Sequence, residues 1–259
     1  MFRQLRETLS FRDLLRNLAL TELKLRYRDS VLGFLWTVLN PLLFLLILAF
    51  VFSRLIPFEI PRYPLFLFAG LVSWLMVQQT VVIATASIVN NQGLIRKVAV
   101  PKLVFPLSNV LARYVDHAAL AVVLVAFVPV FGARMGWSLL FLPAAMALHF
   151  LFSLGLSLLC AVAYIRVRDV QNVVAVVFQA LFYATPILYP ADVLPEKMRL
   201  LLEWNPFAYF VELVRAPVYG GTLPAAGDLA VAAGLAVAAL GAGLWVFARN
   251  ESQFVFHMS

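Results

Sequence analysis

Residues 31–53 contain no Asp, Glu, Lys or Arg, and neither do residues 63–95. A helix needs roughly 20 apolar residues to cross the hydrocarbon of a bilayer. Each run is long enough, and further apolar stretches follow down the chain. One such run could be a buried core helix of a soluble domain, but several in a chain of 259 residues could not. Charged residues make up 13% of the chain, and apolar ones 63%. A soluble surface needs about 25% charged residues, so a soluble globular fold is excluded.

The hydropathy pattern divides the chain into an all-α integral membrane domain with six transmembrane helices. Residues 1–30 alternate apolar and charged side chains, as an amphipathic helix at the membrane surface does, with Asp13 placed to cap its start. Spans are expected over 31–53, 64–89, 107–132, 139–164, 171–189 and 225–248. Pro41 lies inside the first span, where neighbouring helices can satisfy the carbonyl it frees. Residues 90–103 are too polar to cross and read as a short helix on one side. Residues 190–222 hold two short helical stretches punctuated by Pro195, Pro206 and Pro217. Their length suits re-entrant or interfacial segments between spans five and six. In the last span Gly234, Ala238 and Ala242 recur every fourth position, a spacing that permits close helix packing. Residues 249–259 form a tail.

Lys and Arg placement gives an orientation. With the N-terminus inside, 14 of the 20 basic residues, beginning with Arg3 and Arg6, fall in inner segments. Both termini are then cytoplasmic. The formal charge of +7 is thereby a topology signal and requires no nucleic acid. Within the third span Arg113 and Asp116 lie three residues apart on one helical face, and His117 follows. An ionisable pair at membrane depth is a functional candidate, or else a neutralised pair near the interface with Arg113 reaching outward. The fifth span carries Gln171, Asn172, Gln179, Tyr183 and Thr185, polar groups that need partners in hydrocarbon.

Catalytic and energy-coupling signatures are missing from the sequence. There is no P-loop, no His-Glu-x-x-His, no Gly-x-Ser-x-Gly and no clustered Cys and His. No metal site or catalytic residue is expected. Cys160 reads as a small buried hydrophobe. The spans lack the chain of carboxylates a proton-driven pump uses. The pattern is that of a passage or binding element.

Four segments carry a family resemblance. Residues 22–43 (ELKLRYRDSVLGFLWTVLNPLL), 91–102 (NQGLIRKVAVPK), 185–190 (TPILYP) and 204–207 (WNPF) resemble, in order, the ABC-2 type permeases that export polysaccharides. The O-antigen and teichoic acid permeases are the most similar subgroup. The resemblance implies a homodimer in the bacterial inner membrane, paired with two copies of a separate ABC ATPase. ATP and Mg would sit on that partner, and this chain would hold no cofactor. The cargo would be a glycan on undecaprenyl diphosphate. Residues 1–30 would be an interface helix, with Arg16, Glu22 and Lys24 on it. Gln92, Leu94, Ile95, Arg96, Lys97 and Val98 would couple to the ATPase. Apolar residues mixed with basic ones there suit docking into a groove better than a plain loop. The stretches in 190–222 would be periplasmic gate helices.

A pathway that slides a sugar chain needs aromatic faces and neutral hydrogen-bonding groups without deep wells. Trp36, Gln179, Tyr183, Thr185 and Tyr189 are candidates for it, although Trp and Tyr also populate interfacial belts. Arg26 and Arg28 are candidates for the lipid diphosphate, or for anchoring to membrane lipid. Teichoic acid, or another lipid or drug, remains an alternative cargo. A membrane-embedded enzyme of glycolipid synthesis is a reading of another class, and it would need an acid or metal cluster. A secondary transporter would show internal repeats and buried charges.

Overall fold

The structure, a computed structural model, describes residues 7–8, 10–55, 60–98 and 100–254. Outside the described residues lie Arg3 and Arg6 of the expected interface segment, Ala99 of the expected coupling segment and residues 255–259 of the expected tail. Every regular element among the described residues is helical. In chain order these are α1 (Arg12–Tyr27), α2 (Trp36–Leu55), α3 (Tyr63–Thr85), α4 (Ser87–Asn90), α5 (Gln92–Lys97), α6 (Val104–Val130) and α7 (Leu142–Arg166). They continue with α8 (Val170–Ala184), α9 (Glu196–Glu203), α10 (Pro206–Arg215) and α11 (Ala226–Asn250). Five helical stretches are long and apolar enough to cross a membrane: those built on α2, α3, α6, α7 and α11.

Local chemistry sets the element ends. Asp13 lies in the first turn of α1, and Lys24 and Arg26 lie in its last, each opposing the helix dipole. Asp13 is not the cap, because Phe11 occupies that position. The chain then turns sharply into α2 through two left-handed residues, Asp29 (φ 58) and Gly33 (φ 49). The expected fifth span ran to residue 189, but α8 stops at Ala184 after 15 residues. Thr185 is extended because it precedes Pro186, whose ring disfavours helical geometry one residue earlier. Alone, α8 is about 22 Å long, short of the roughly 30 Å hydrocarbon core.

Hydrogen bonds gather the element ends into two groups. At one end Arg166 donates to Asn250 (2.6 Å), joining the ends of α7 and α11. Beside them Lys102, just before α6, donates through its backbone N–H and its Nζ to Glu251, just after α11 (3.1 and 2.7 Å). At the other end Tyr63 donates to the Leu188 carbonyl (3.0 Å), and Tyr219 donates to the Pro61 carbonyl (2.9 Å). Ser138 donates to the Pro217 carbonyl there (3.0 Å). The chain therefore enters α8 at the Arg166 end and reaches Leu188 at the Tyr63 end.

α3 is the central helix, packed against α2, α6, α7, α8 and α10. Trp74 on α3 gathers Phe178 and Phe182 of α8 and Phe207 of α10, with ring centroids 5.3–5.8 Å away. α7 and α11 cross at backbone contact. A Cβ added to Gly155 would collide with the Ala239 backbone, and one on Gly243 would collide with the Gly155 carbonyl. The seam on α11 runs through Ala232, Ala236, Ala239 and Gly243. The expected series Gly234, Ala238 and Ala242 lies on the exposed side. Both sets have helical spacing, and pattern alone does not choose between two faces of small residues.

Candidate functional site

Midway along α6, where α1 lies against it, polar side chains converge. Asp116, 1% exposed, pairs with both Arg26 of α1 and Arg113 of α6, the latter at 3.2 Å. Tyr27 donates to the other Asp116 oxygen (2.8 Å) and shares a 2.5 Å hydrogen bond with Thr37 at the start of α2. One turn up α1, Glu22 accepts from Asn109 of α6 (3.3 Å). Burial pushes the Tyr27 phenol above its ordinary range; the Thr37 contact opposes this and the Asp116 carboxylate adds to it. Arg26, separated from Asp116 by ninety positions, was not recognisable in the sequence as its partner.

A cavity of about 320 Å³ opens beside this cluster. Arg26, Arg113 and Asp116 line it with Trp36, Asn40 and Gln79. Two guanidiniums against one carboxylate leave the wall with an excess positive charge. The two diphosphate candidates thus separate. Arg26 is engaged in the ion pair, whereas Arg28 is exposed and 3.6 Å from the exposed Asp29 carboxylate. Of the interface-helix candidates, Arg16 and Lys24 are exposed and Glu22 faces α6.

The coupling candidates occupy α5 and the residue after it. Ile95 is buried with Ile88, Leu103 and Phe105, so it fastens the segment to the body. Leu94 is half-buried against the same cluster. Gln92, Arg96, Lys97 and Val98 are exposed and form the outward face. An amphipathic six-residue turn gave no way to tell from sequence which apolar residue anchors and which protrudes.

The pathway candidates do not form one set. Trp36 lines the cavity beside Asp116. Gln179 and Tyr183 line a separate hollow of about 270 Å³ between α2, α3 and α8, with Phe44, Trp74 and Gln78. Thr185 is fully buried, donating to the Leu181 carbonyl (2.7 Å) and accepting from Asn205 (3.0 Å), so it ties the end of α8 to the start of α10. Tyr189 donates to the Tyr183 carbonyl (3.1 Å) and braces the same turn.

Arg215 was not among the sequence candidates. It ends α10, is 6% exposed and has no ion-pairing carboxylate among the described residues. Its guanidinium carbon sits 3.9 Å from the centre of the Phe66 ring, and Nη2 donates to the Ile187 carbonyl (3.2 Å). Nε is buried without a partner. The group has room because residue 70 is glycine: a Cβ there would stand 2.6 Å from Nη2. Burial lowers its pKa to about 10, so it stays charged at neutral pH. Burial pushes the nearby Glu212 carboxyl up, and Arg215 opposes that shift. An arginine closing a largely apolar helix is the signal that could have drawn attention to this residue, although the glycine opposite it comes from another part of the chain.

Residues 14–219 match the family described as ABC-2 type transporter. The chain is 31% identical over 256 residues to the O-antigen export system permease protein RfbA of Myxococcus xanthus, covering 98% of each chain. It is 34% identical over 212 residues to the protein of the same name from Klebsiella pneumoniae, covering 82% of each. The polysialic acid transport protein KpsM of Escherichia coli is 26% identical over 237 residues, covering 90% of this chain and 92% of that one.

Proposed function

Because the chain belongs to the ABC-2 type transporter family, we propose that it is the membrane-spanning permease subunit of an ATP-driven polysaccharide exporter. The observation that carries this reading is the end-to-end similarity to a named O-antigen export permease, over 98% of both chains. The ATP would be hydrolysed on a separate ABC ATPase, with two permease copies and two ATPase copies per exporter. The membrane would be the bacterial inner membrane.

Six crossings suit this reading better than five. α8 is short, but the extended residues after it carry the chain to the end where Tyr63 holds Leu188. An even number of crossings puts α1, α5, the α7–α8 turn and the end of α11 on one side. That side carries most of the Lys and Arg, which favours the cytoplasm. α9 and α10 then act as outer gate helices between spans five and six.

The exposed face of α5 is the proposed ATPase contact, with Arg96, Lys97 and Val98 outward and Ile95 as its anchor. The exposed faces of α2 and α8 would meet the second copy and line the passage. Gln179 and Tyr183 offer the neutral and aromatic groups along which sugars slide. The cargo proposed is a glycan on a polyprenyl diphosphate lipid. Positive charge in excess around Asp116, together with the exposed Arg28, supports recognition of its diphosphate.

The reading is tested by co-expressing the chain with the ATPase of an O-antigen exporter in a host deleted for its own permease. Export of surface polysaccharide and recovery of the ATPase with the purified chain are the expected outcomes; failure of both would overturn the reading. Val98→Asp on the exposed face should lower ATP turnover of the complex by about tenfold, the loss expected when a charge enters a docking contact. Unchanged turnover would remove the assignment of α5.

A further inference from the structure

The Tyr63 end of the molecule, where the export reading places the gate helices, holds a second cavity, of about 680 Å³. It lies between the start of α3, the turn after α8, the α9–α10 pair and the first turn of α11. Arg215 and the Phe66 ring that supports it form part of its wall. Tyr209 and Tyr219 add aromatic surface, and Glu212 and Asp228 add half-buried carboxylates. Several of these groups are held in place by the fold. Tyr209 donates to the Glu203 carbonyl (2.9 Å), Tyr219 donates to the Pro61 carbonyl, and Arg215 is fixed by the Ile187 carbonyl.

The wall chemistry selects among ligands. An apolar chain would strand buried ionisable groups without partners. An anion would meet an acidic excess, since Glu203 lines the cavity along with Glu212 and Asp228. Arg199, the other cation of the wall, already donates to the carbonyls of Asp192 and Leu194. Half-buried carboxylates accept from vicinal hydroxyls, the buried guanidinium has a free N–H to donate, and tyrosine rings offer faces to C–H groups. That combination suits an uncharged sugar. The volume lies within the usual range of small-molecule sites, about 300–1,000 Å³.

We infer that this outer cavity binds an uncharged sugar unit of the polysaccharide as it leaves the passage, an assignment that rests on the export reading. Each protomer would hold one such site, and brief capture of the emerging chain there would disfavour its backward slip.

The test is saturation-transfer NMR on the full-length chain in nanodiscs, with methyl glucoside, methyl N-acetylglucosaminide and methyl glucuronide as probes. At least one of the two neutral glycosides should give saturable transfer, and the glucuronide should bind about tenfold more weakly. Glu212→Gln should weaken the neutral probe by about the same factor. Thr222→Trp, at an exposed position of the wall, should block the cavity without disturbing the buried residues. No saturable transfer from either neutral glycoside overturns the assignment, as does equal binding of the glucuronide or wild-type binding by Thr222→Trp. A wild-type chain that restores export yet shows no transfer leaves the export reading standing. A chain that exports nothing removes that reading and this assignment together.

Discussion

α2 and α3 are adjacent in sequence and packed together, yet they are inverted with respect to a soluble core. α2 lies in the most apolar of the five candidate spans, and 11% of its apolar window is buried. α3 is no more apolar than any of the others, and 78% of its window is buried. α3 brings Ser73, Thr80 and Thr85 into the interior, each hydrogen-bonded. α2 turns Leu46, Ile47 and Phe50 outward. In water the hydrophobic effect would drive α2 inward. In lipid, where the surroundings are as apolar as leucine, position is decided by packing and by polar groups seeking partners. The most polar residues of the spans therefore mark the interior, and the most apolar face marks the boundary.

The sharpest break of that pattern would come at the α7–α11 crossing, where backbone meets backbone. Gly155→Val should destabilise the chain by about 4 kcal/mol, above the usual overpacking cost, because the Ala239 backbone rather than a side chain would have to move. Thermal unfolding of the full-length protein in detergent reads this. Gly234→Val on the exposed face of α11, with nothing within 4 Å of the added Cβ, should change little. Equal effects at the two glycines would show that α11 packs by the face that is exposed here.

Asp116→Asn removes the carboxylate from the most polar buried point and leaves Arg26 and Arg113 facing each other. A loss of about 3 kcal/mol is expected, the low end for breaking a buried pair, since both arginines keep some exposure. Because Arg26 and Tyr27 hold α1 to α6 through this carboxylate, limited proteolysis should cut around Tyr27 sooner in the variant. Unchanged proteolysis would mean that the lock is not what holds α1.

Ser73→Ala asks the same question inside α3. Ser73 donates to the Phe210 carbonyl (2.9 Å) and hydrogen-bonds His149 Nε2 (2.8 Å), so alanine leaves the buried Nε2 of α7 without that partner and takes a second hydrogen bond from a helical carbonyl of α10. About 2 kcal/mol should be lost. A smaller loss would place water in the gap and weaken the claim that polar groups organise this interior.

The sequence shows the membrane class because a run of 20 uncharged residues has few other meanings. Charge and proline interrupt the apolar pattern where α1, α5 and the α9–α10 pair stand, although α1 and α5 are shorter than the expected segments 1–30 and 90–103. What the sequence does not show depends on long-range approach. Arg26 meets Asp116 across ninety positions, and Arg215 meets Gly70 from another part of the chain. Thr185 looks like a pathway residue by type, but a neighbouring asparagine makes it a joint. Ile95 and Val98 look equivalent in a short amphipathic turn, and only the cluster behind Ile95 separates them.

The smallest effect tests the other half of the comparison. Ile47 is 60% exposed on α2, so Ile47→Ala removes methyl groups that touch little within the protomer. Its unfolding free energy should change by less than about 0.5 kcal/mol, as for an ordinary surface site. If the α2 face packs on a second copy, the same change should still shift the balance between one and two copies per nanodisc, counted by single-molecule photobleaching. A stability loss as large as that of Ser73→Ala would mean that α2 is already buried within one protomer, and the inversion between α2 and α3 would no longer hold. A neutral change in both measurements would leave α2 facing lipid and remove its assignment as a contact between copies.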